Sequence, residues 1–371
     1  MSASRDNEVV AILHERVLGG ATLQLLQTVP LLQARGWSFA FWVDHPSELH
    51  DLLRDRGFEV HGLPRPVAYS GRTLRLPPGP ARRLAATPGY FFELARLVRQ
   101  RSPTVIHANS LFSLAEATAA RLAGGRVLLH VHELVPSGRK GAAARLAARL
   151  VARERVAVSR ASATTLGGDA GIRVVFEATT VPERPVAVRV NPVPFVVGTV
   201  GPISRNKGSD VFVDAARLVG GEHAGIDFRM VGAMRDRVEP WWGDAVVRRA
   251  RELGIDHVEW CDVAEELRSW DAFVLPSRVD AFPGAMLQAM ALGLPVIGAR
   301  TGGIPEQVDG CGLLVEAGDP ERLAEGIVEL AQSSHARRAA MGAAARRRVL
   351  DNFTVERQAA ALDAAYRAVA E

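Results

Sequence analysis

The stretch Pro276-Ser277-Arg278-Val279-Asp280-Ala281-Phe282-Pro283-Gly284 decides the reading of this chain. It continues through Ala285-Met286-Leu287-Gln288-Ala289-Met290-Ala291 and Gly293-Leu294-Pro295-Val296-Ile297 to Thr301-Gly302-Gly303-Ile304-Pro305-Glu306. The apolar run Ala272-Phe273-Val274-Leu275 before it reads as a buried strand, and Pro276 ends that strand because proline cannot donate to a sheet ladder. Phe282-Pro283-Gly284 is turn chemistry, and good helix formers follow it. A helix therefore starts near Gly284 with its free N–H groups facing the preceding loop. Such a start attracts anions, and a diphosphate suits it.

Similar units lie on either side. Val9-Val10-Ala11-Ile12-Leu13 reads as a buried strand, Gly19-Gly20-Ala21 opens a helix to about Arg35, and a second strand follows Gly36. This is the opening of a Rossmann-like domain, without the full G-x-G-x-x-G of dinucleotide sites. Two later strands end in His107-Ala108-Asn109 and in His132-Glu133, at carboxyl ends where open α/β sheets bind ligands. Residues 64–89 read as a long loop and 90–101 as an amphipathic helix. Prolines 182, 185, 192 and 194 mark a stiff connector. After it, residues 195–200 open a second domain and lead into Gly201-Pro202-Ile203-Ser204-Arg205-Asn206-Lys207-Gly208. A strand then ends at Gly232, and residues 258–263 read as a short strand. From Thr354 to about Ala370 a last helix carries Ala361, Leu362, Ala365 and Tyr366 as an apolar stripe.

At 371 residues the chain exceeds one ordinary core, and 48% hydrophobic with 23% charged residues is a globular composition. Two cysteines, Cys261 and Cys311, make no disulfide framework, so a reducing compartment is expected. Arg5, Asp6 and Glu8 argue against a signal peptide, and the uncharged stretches 17–34 and 281–299 are broken by glutamine, glycine and proline. The expected location is cytoplasmic, extending to the inner membrane face. That extension comes from Arg65 to Arg101, where eight arginines face the single acid Glu93. The run is either a solvated arginine-rich surface or a patch for anionic lipid headgroups or an anionic acceptor. Nucleic acid is not an expected partner, since nothing matches a nucleic-acid motif.

The stretch 276–306 resembles the signature of the family 4 retaining glycosyltransferases of the GT-B fold. That pattern is Pro-Ser-x-x-Glu, a Gly-Phe-Gly-like turn, a second Glu eight residues after the first, then Ala-Met-Ala-x-Gly-x-Pro-Val and Gly-Gly-x-x-Glu. This chain keeps the spacing but has Asp280 and Gln288 at the two Glu positions. The resemblance implies an α/β chain with two Rossmann-like α/β/α domains facing across a cleft. Residues 1–188 would bind acceptor, 189–353 would bind nucleotide sugar, and 354–371 would form a crossover helix packing back on the first domain.

The reaction so implied moves a sugar from a nucleotide diphosphate sugar, UDP- or GDP-linked, to an acceptor hydroxyl with retention. The acceptor is a glycan, a lipid-linked molecule or a small molecule, and no metal or cofactor is required. Residues 201–208 resemble the family's Gly-Arg-Leu-x-x-x-Lys-Gly, so Lys207 would hold the diphosphate. The family's arginine is Pro202 here, and Arg205 is expected to supply its charge from the same loop. Asp280 would contact the donor sugar and Gln288 the ribose. Gly19, Gly20, Gly201, Gly208, Gly232, Val263, Phe282, Pro283, Gly284, Ala285 and Met286 complete the donor side, the loop after the strand that Val263 ends being expected to meet the base. His132 would act near the sugar or acceptor, with His107, Asn109 and Glu133 on the acceptor side. Two other readings remain open from the substitutions: a degenerate, non-catalytic sugar-nucleotide or glycan-binding paralogue, and a nucleotide-sugar epimerase of the same fold.

Overall fold

Continuous apolar runs become strands that helices cover on both faces, and β1 (Glu8–Leu13) is buried along its whole length. The computed structural model describes residues 7–63, 68–70, 73–75, 80–168, 171–220, 223, 225–233 and 240–371. By compactness the chain forms one unit from Met1–Phe176 with Val355–Glu371, and a second from Glu177–Thr354. The sequence reading put the boundary later, at 188. Residues after Phe176 instead bind within the second unit: Val186 N–H donates to Leu292 O at 2.7 Å, and Arg346 donates to Glu183 O at 3.2 Å.

In the first unit, β1 is followed by α1 (Gly20–Gln33), β2 (Ser38–Asp44), α2 (Glu48–Asp55) and β3 (Glu59–Leu63). A hairpin of β4 (Ala68–Ser70) and β5 (Thr73–Arg75) precedes α3 (Pro80–Arg101). Then come β6 (Val105–Asn109), α4 (Leu114–Leu122), β7 (Val127–Val131), α5 (Gly138–Val151), β8 (Glu154–Ala157), α6 (Arg160–Leu166) and β9 (Arg173–Val174). The long loop expected over 64–89 is thus shorter. A proline at the first helical position and alanine-rich sequence after it start α3 ten residues before Tyr90. The sheet order is β3-β2-β1-β6-β7-β8-β9, all parallel. Alternate residues of β1 serve opposite cores: Val9, Ala11 and Leu13 face α1, while Val10 and Ile12 face the layer of α3 to α6.

The second unit runs β10 (Phe195–Val200), α7 (Ser209–Gly220), β11 (Ile226–Val231), α8 (Pro240–Glu252), β12 (Asp256–Val258) and α9 (Val263–Arg268). It continues with β13 (Ala272–Leu275), α10 (Gly284–Leu292), β14 (Val296–Ala299), α11 (Ile304–Val308), β15 (Leu313–Val315), α12 (Pro320–Gln332) and α13 (His335–Asn352). Its parallel sheet has the order β12-β11-β10-β13-β14-β15. The final helix, α14 (Val355–Ala370), belongs to the first unit, where Leu362, Ala365, Tyr366 and Val369 are fully buried in the core on the α1 side.

Of the eight arginines between 65 and 101, Arg65 and Arg72, with the side chains of Arg75, Arg82 and Arg83, lie outside the described residues. Arg96 pairs with Glu93, and Arg101 is nearly buried between Glu8 and Glu59. No helix among the described residues is long and apolar enough to cross a membrane.

Candidate active site

In each sheet the chain reverses its direction of growth once, and the loops at such a switch point flank a crevice at the carboxyl ends of the strands. In the second unit the switch lies between β10 and β13. The loop leaving β10 carries Lys207, and the loop leaving β13 carries Asp280. Lys207 Nζ donates to Asp280 Oδ2 at 2.6 Å, and Ser277 Oγ donates to the same oxygen at 3.1 Å. Both side chains keep some exposure, 27% and 12%.

Glycines make this approach possible. Gly208 has φ +67, and a Cβ there would lie 2.0 Å from Pro276 O. A Cβ on Gly232 would lie 1.9 Å from Gly201 O. The stem of Lys207 lies over Gly201. These glycines hold the loops together through the backbone.

Arg278, not singled out by the sequence reading, ties the two loops. Its N–H donates to Asn206 O at 2.7 Å, and its guanidinium donates to Arg205 O at 3.1 Å. The same guanidinium grips Asp210 with two bonds, of 2.6 and 2.9 Å, and this pairing raises its pKa further. Thr301 Oγ1 donates to Arg278 O, and Gly303 N–H to Asp280 O, which adds the glycine loop after β14. Arg205 lies with its guanidinium 4.9 Å from the Trp242 ring centre, a cation–π stack.

Helix α10 starts as expected, at Gly284. No side chain caps its N-terminus and its first turn holds no acid, whereas Asp262, Asp319 and Ser334 cap α9, α12 and α13. The amides at 284–286 therefore face the loop of Asp280 uncapped by any side chain. Gln307, fully buried, donates Nε2–H to Pro283 O at 3.0 Å and fixes the turn.

Three expectations on the donor side need correction. Phe282 and Met286 are buried, Phe282 against Phe353, so neither side chain is available to a ligand. The strand expected over 258–263 ends at Val258. Val263 is the first residue of α9, because the Asp262 carboxylate accepts from Ala264 and Glu265 N–H and starts a helix there. At Gly19, a Cβ would meet the Glu15 carboxylate at 1.7 Å, and Glu15 Oε2 accepts from Thr22 N–H at 3.1 Å. The start of α1 is capped by this chain's own acid, and Gly20 opens to free space.

In the first unit, His107, Asn109, His130 and His132 share one face of β6 and β7, since Asn109 pairs with His130 and side chains alternate. His130 thus lies on the same side as His132. The imidazoles form a row, with ring centres 5.3 Å apart from His107 to His130 and 4.2 Å from His130 to His132. His107 is fully buried and its Nδ1 is 2.6 Å from Tyr366 Oη, so it faces α14 and not an acceptor. Burial pushes its pKa down to about 3 and holds that of His130 well below the usual range. Asn109 is also fully buried, and its Oδ1 lies 3.0 Å from His132 Nε2.

Glu133 accepts from Ser110 Oγ, Leu111 N–H and His132 N–H, joining the exits of β6 and β7. Ser110, buried with φ +134, is the strained residue at that junction. Of the residues expected on the acceptor side, His132 is partly exposed, and Asn109 and Glu133 both bond to it. Among the described residues no cluster of His, Cys, Asp or Glu is arranged to hold a metal ion.

Two Rossmann-like units with parallel sheets in these orders define the GT-B class of glycosyltransferase. Solved structures agree on the fold. Anabaena Alr3699/HepE in complex with UDP and glucose superimposes with a TM-score of 0.75 at 19% identity, over 94% of this chain and 95% of that one. Sucrose-phosphate synthase from Thermosynechococcus elongatus gives 0.75 at 21% identity, over 97% and 98%. The family described as Glycosyl transferase 4-like domain matches residues 19–191, and that described as Glycosyl transferases group 1 matches 194–333. The chain belongs to the group 1 glycosyltransferases. Among curated relatives, lipopolysaccharide core biosynthesis mannosyltransferase LpsB of Rhizobium meliloti is 27% identical over 50% of this chain and 55% of its own. The D-inositol 3-phosphate glycosyltransferase of Geodermatophilus obscurus is 41% identical over 31% and 24%. The chain spans about half or less of the length of these relatives.

Proposed function

We propose that this glycosyltransferase moves a sugar from a uridine or guanosine diphosphate sugar to an acceptor hydroxyl, with retention and without a metal ion. The observation that carries the reading is the Lys207–Asp280 pair at the sheet's switch point, in the loop that leads to the uncapped start of α10. A departing diphosphate gathers negative charge while the sugar becomes cation-like. Lys207 and the amides at 284–286 are the fixed donors for that charge, and each well-placed donor of this kind is worth about 3–4 kcal/mol. Asp280 keeps Nζ in place before the donor arrives and accepts from a sugar hydroxyl afterwards. Gln288, four residues beyond Gly284 on the same helix face, bonds the ribose. Arg205 adds charge once released from Trp242. His132 binds sugar or acceptor hydroxyls, held by Asn109. The leaving phosphate oxygen takes the acceptor proton on the same face of the sugar.

The named donors of two neighbours support the nucleotide range: HepE holds UDP, and a Corynebacterium glutamicum relative is a GDP-mannose-dependent mannosyltransferase. Lys207→Ala tests the site. Transfer from the best donor of a UDP- and GDP-sugar panel should fall at least a hundredfold with the unfolding midpoint unchanged. Full activity in that variant removes Lys207 from the mechanism. Tight nucleotide binding by the natural chain with no turnover of any donor would make it a binding paralogue, and release of free nucleotide with an altered sugar, without acceptor, would make it an epimerase.

A further inference from the structure

Apart from Val17, the large hydrophobic side chains exposed in the first unit, among the described residues, all stand on α3, α4 or α5. They are Phe92 (62% exposed), Leu122 (80%), Leu146 (59%) and Leu150 (70%). These helices are successive neighbours, α3 against α4 and α4 against α5, over one core layer of the sheet. On α5 the usual order is inverted. Its buried positions are Gly141, Ala148 and Val151, while its two leucines, one turn apart, point outward. Arg139, Lys140, Arg149 and Arg153 are exposed on the same helix or just beyond it.

The charge on this layer has one sign. Apart from Arg101, which is held between Glu8 and Glu59, residues 88–153 contain nine lysines and arginines and three acids. Those acids are already committed: Glu116 is buried and accepts from Tyr90 Oη, Glu93 pairs with Arg96, and Glu133 holds its own loop. We propose that the α3–α5 face seats the protein on a bilayer surface rich in anionic lipid. The leucines enter the acyl boundary and the arginines meet the headgroups, so the helices lie on the membrane and do not span it. A second copy of the chain fits poorly, because a two-fold contact would set this face's cations against the same cations. Nucleic acid fits poorly too, because among the described residues Phe92 is the only exposed ring on these helices, and successive bases stack on successive rings. The inference stands apart from the transfer reaction proposed above, and none of Phe92, Leu122, Lys140, Leu146, Arg149 and Leu150 belongs to that machinery.

Vesicle flotation of the full chain tests it, with phosphatidylcholine vesicles and with equal parts phosphatidylcholine and phosphatidylglycerol. The chain should float with the anionic vesicles at least tenfold more than with the neutral ones. Leu146→Asp with Leu150→Asp should cut that bound fraction at least tenfold with the unfolding midpoint unchanged, and Lys140→Glu with Arg149→Glu should do the same. Absence of flotation with anionic vesicles overturns the proposal. Flotation that the leucine pair leaves unaltered overturns it as well, as does a dimer in solution that the leucine pair breaks while flotation persists. A chain that binds a single-stranded oligonucleotide in preference to anionic vesicles is a nucleic-acid binder instead.

Discussion

Two neutral histidines under α14 give the first unit an acid-sensitive core. His107 and His130 are buried, and desolvation lowers the pKa of both below the value near 6.5 that they have in the unfolded chain. The native state therefore holds them uncharged. Their contribution to stability is complete above pH 6.5 and is lost as pH falls from there toward about 3, where His107 itself takes a proton in the fold. Each such group lowers stability by up to about 1.4 kcal/mol per pH unit in that window. The denaturant midpoint should accordingly drop steeply between pH 6.5 and 4. His107→Gln with His130→Gln should flatten that slope, whatever its effect on stability at pH 7. An identical slope in the double variant would place the acid sensitivity elsewhere. The same residues show where sequence stops informing. The spacing of His107 and His132 locates the correct strand ends, but which histidine is covered depends on α14, more than two hundred residues away in the chain.

Loops, not helices, set the geometry of the proposed phosphate site, and Arg278 is their common fastening. With one side chain and its own backbone it reaches Asp210, Arg205 O, Asn206 O and Thr301 Oγ1. Removing it leaves Lys207 chemically intact on a loosened loop. Arg278→Ala should lower kcat/KM for the donor about ten- to a hundredfold, with most of the loss in donor KM, while Arg278→Lys, which cannot form the forked pair, recovers part of it. Asp210→Asn should act on the same fastening, so the double variant should lose little more than the worse single one. Strictly multiplicative losses would show that the two side chains act separately. At this scale the helix start at Gly284 was legible because turn residues and helix formers act locally. The fastening was not, since it depends on β10 and β13 becoming neighbours in the sheet. The strand expected at 258–263 failed for a local reason: one aspartate cap outweighed the β propensity of valine and tryptophan.

Across the whole molecule, the first unit is discontinuous in sequence. Residues through Phe176 form its sheet and most of its helices, but the core between that sheet and α1 closes only when α14 arrives after the entire second unit. Trp37 shows how firmly α14 is held: its indole N–H donates to Asp363 Oδ1 at 2.7 Å, and its ring packs edge-on against Tyr366. Burying Ala359, Leu362, Ala365, Tyr366 and Val369 is worth roughly 5–10 kcal/mol on an area basis, comparable to the roughly 5–15 kcal/mol that holds a whole domain folded. A chain ending at Thr354 should consequently lose the cooperative unfolding of its first unit while the second unit, whose own core lacks nothing from α14, still melts cooperatively. Hydrogen exchange by mass spectrometry would read the two units separately: amides of β1, β6 and β7 should exchange within seconds to minutes, and those of β10 and β13 should keep their protection. Adding a synthetic peptide of residues 355–371 should restore protection to β6 and β7 first, since His107 meets Tyr366 there. Full protection of the first unit in the shortened chain would mean that α14 covers a core already stable without it.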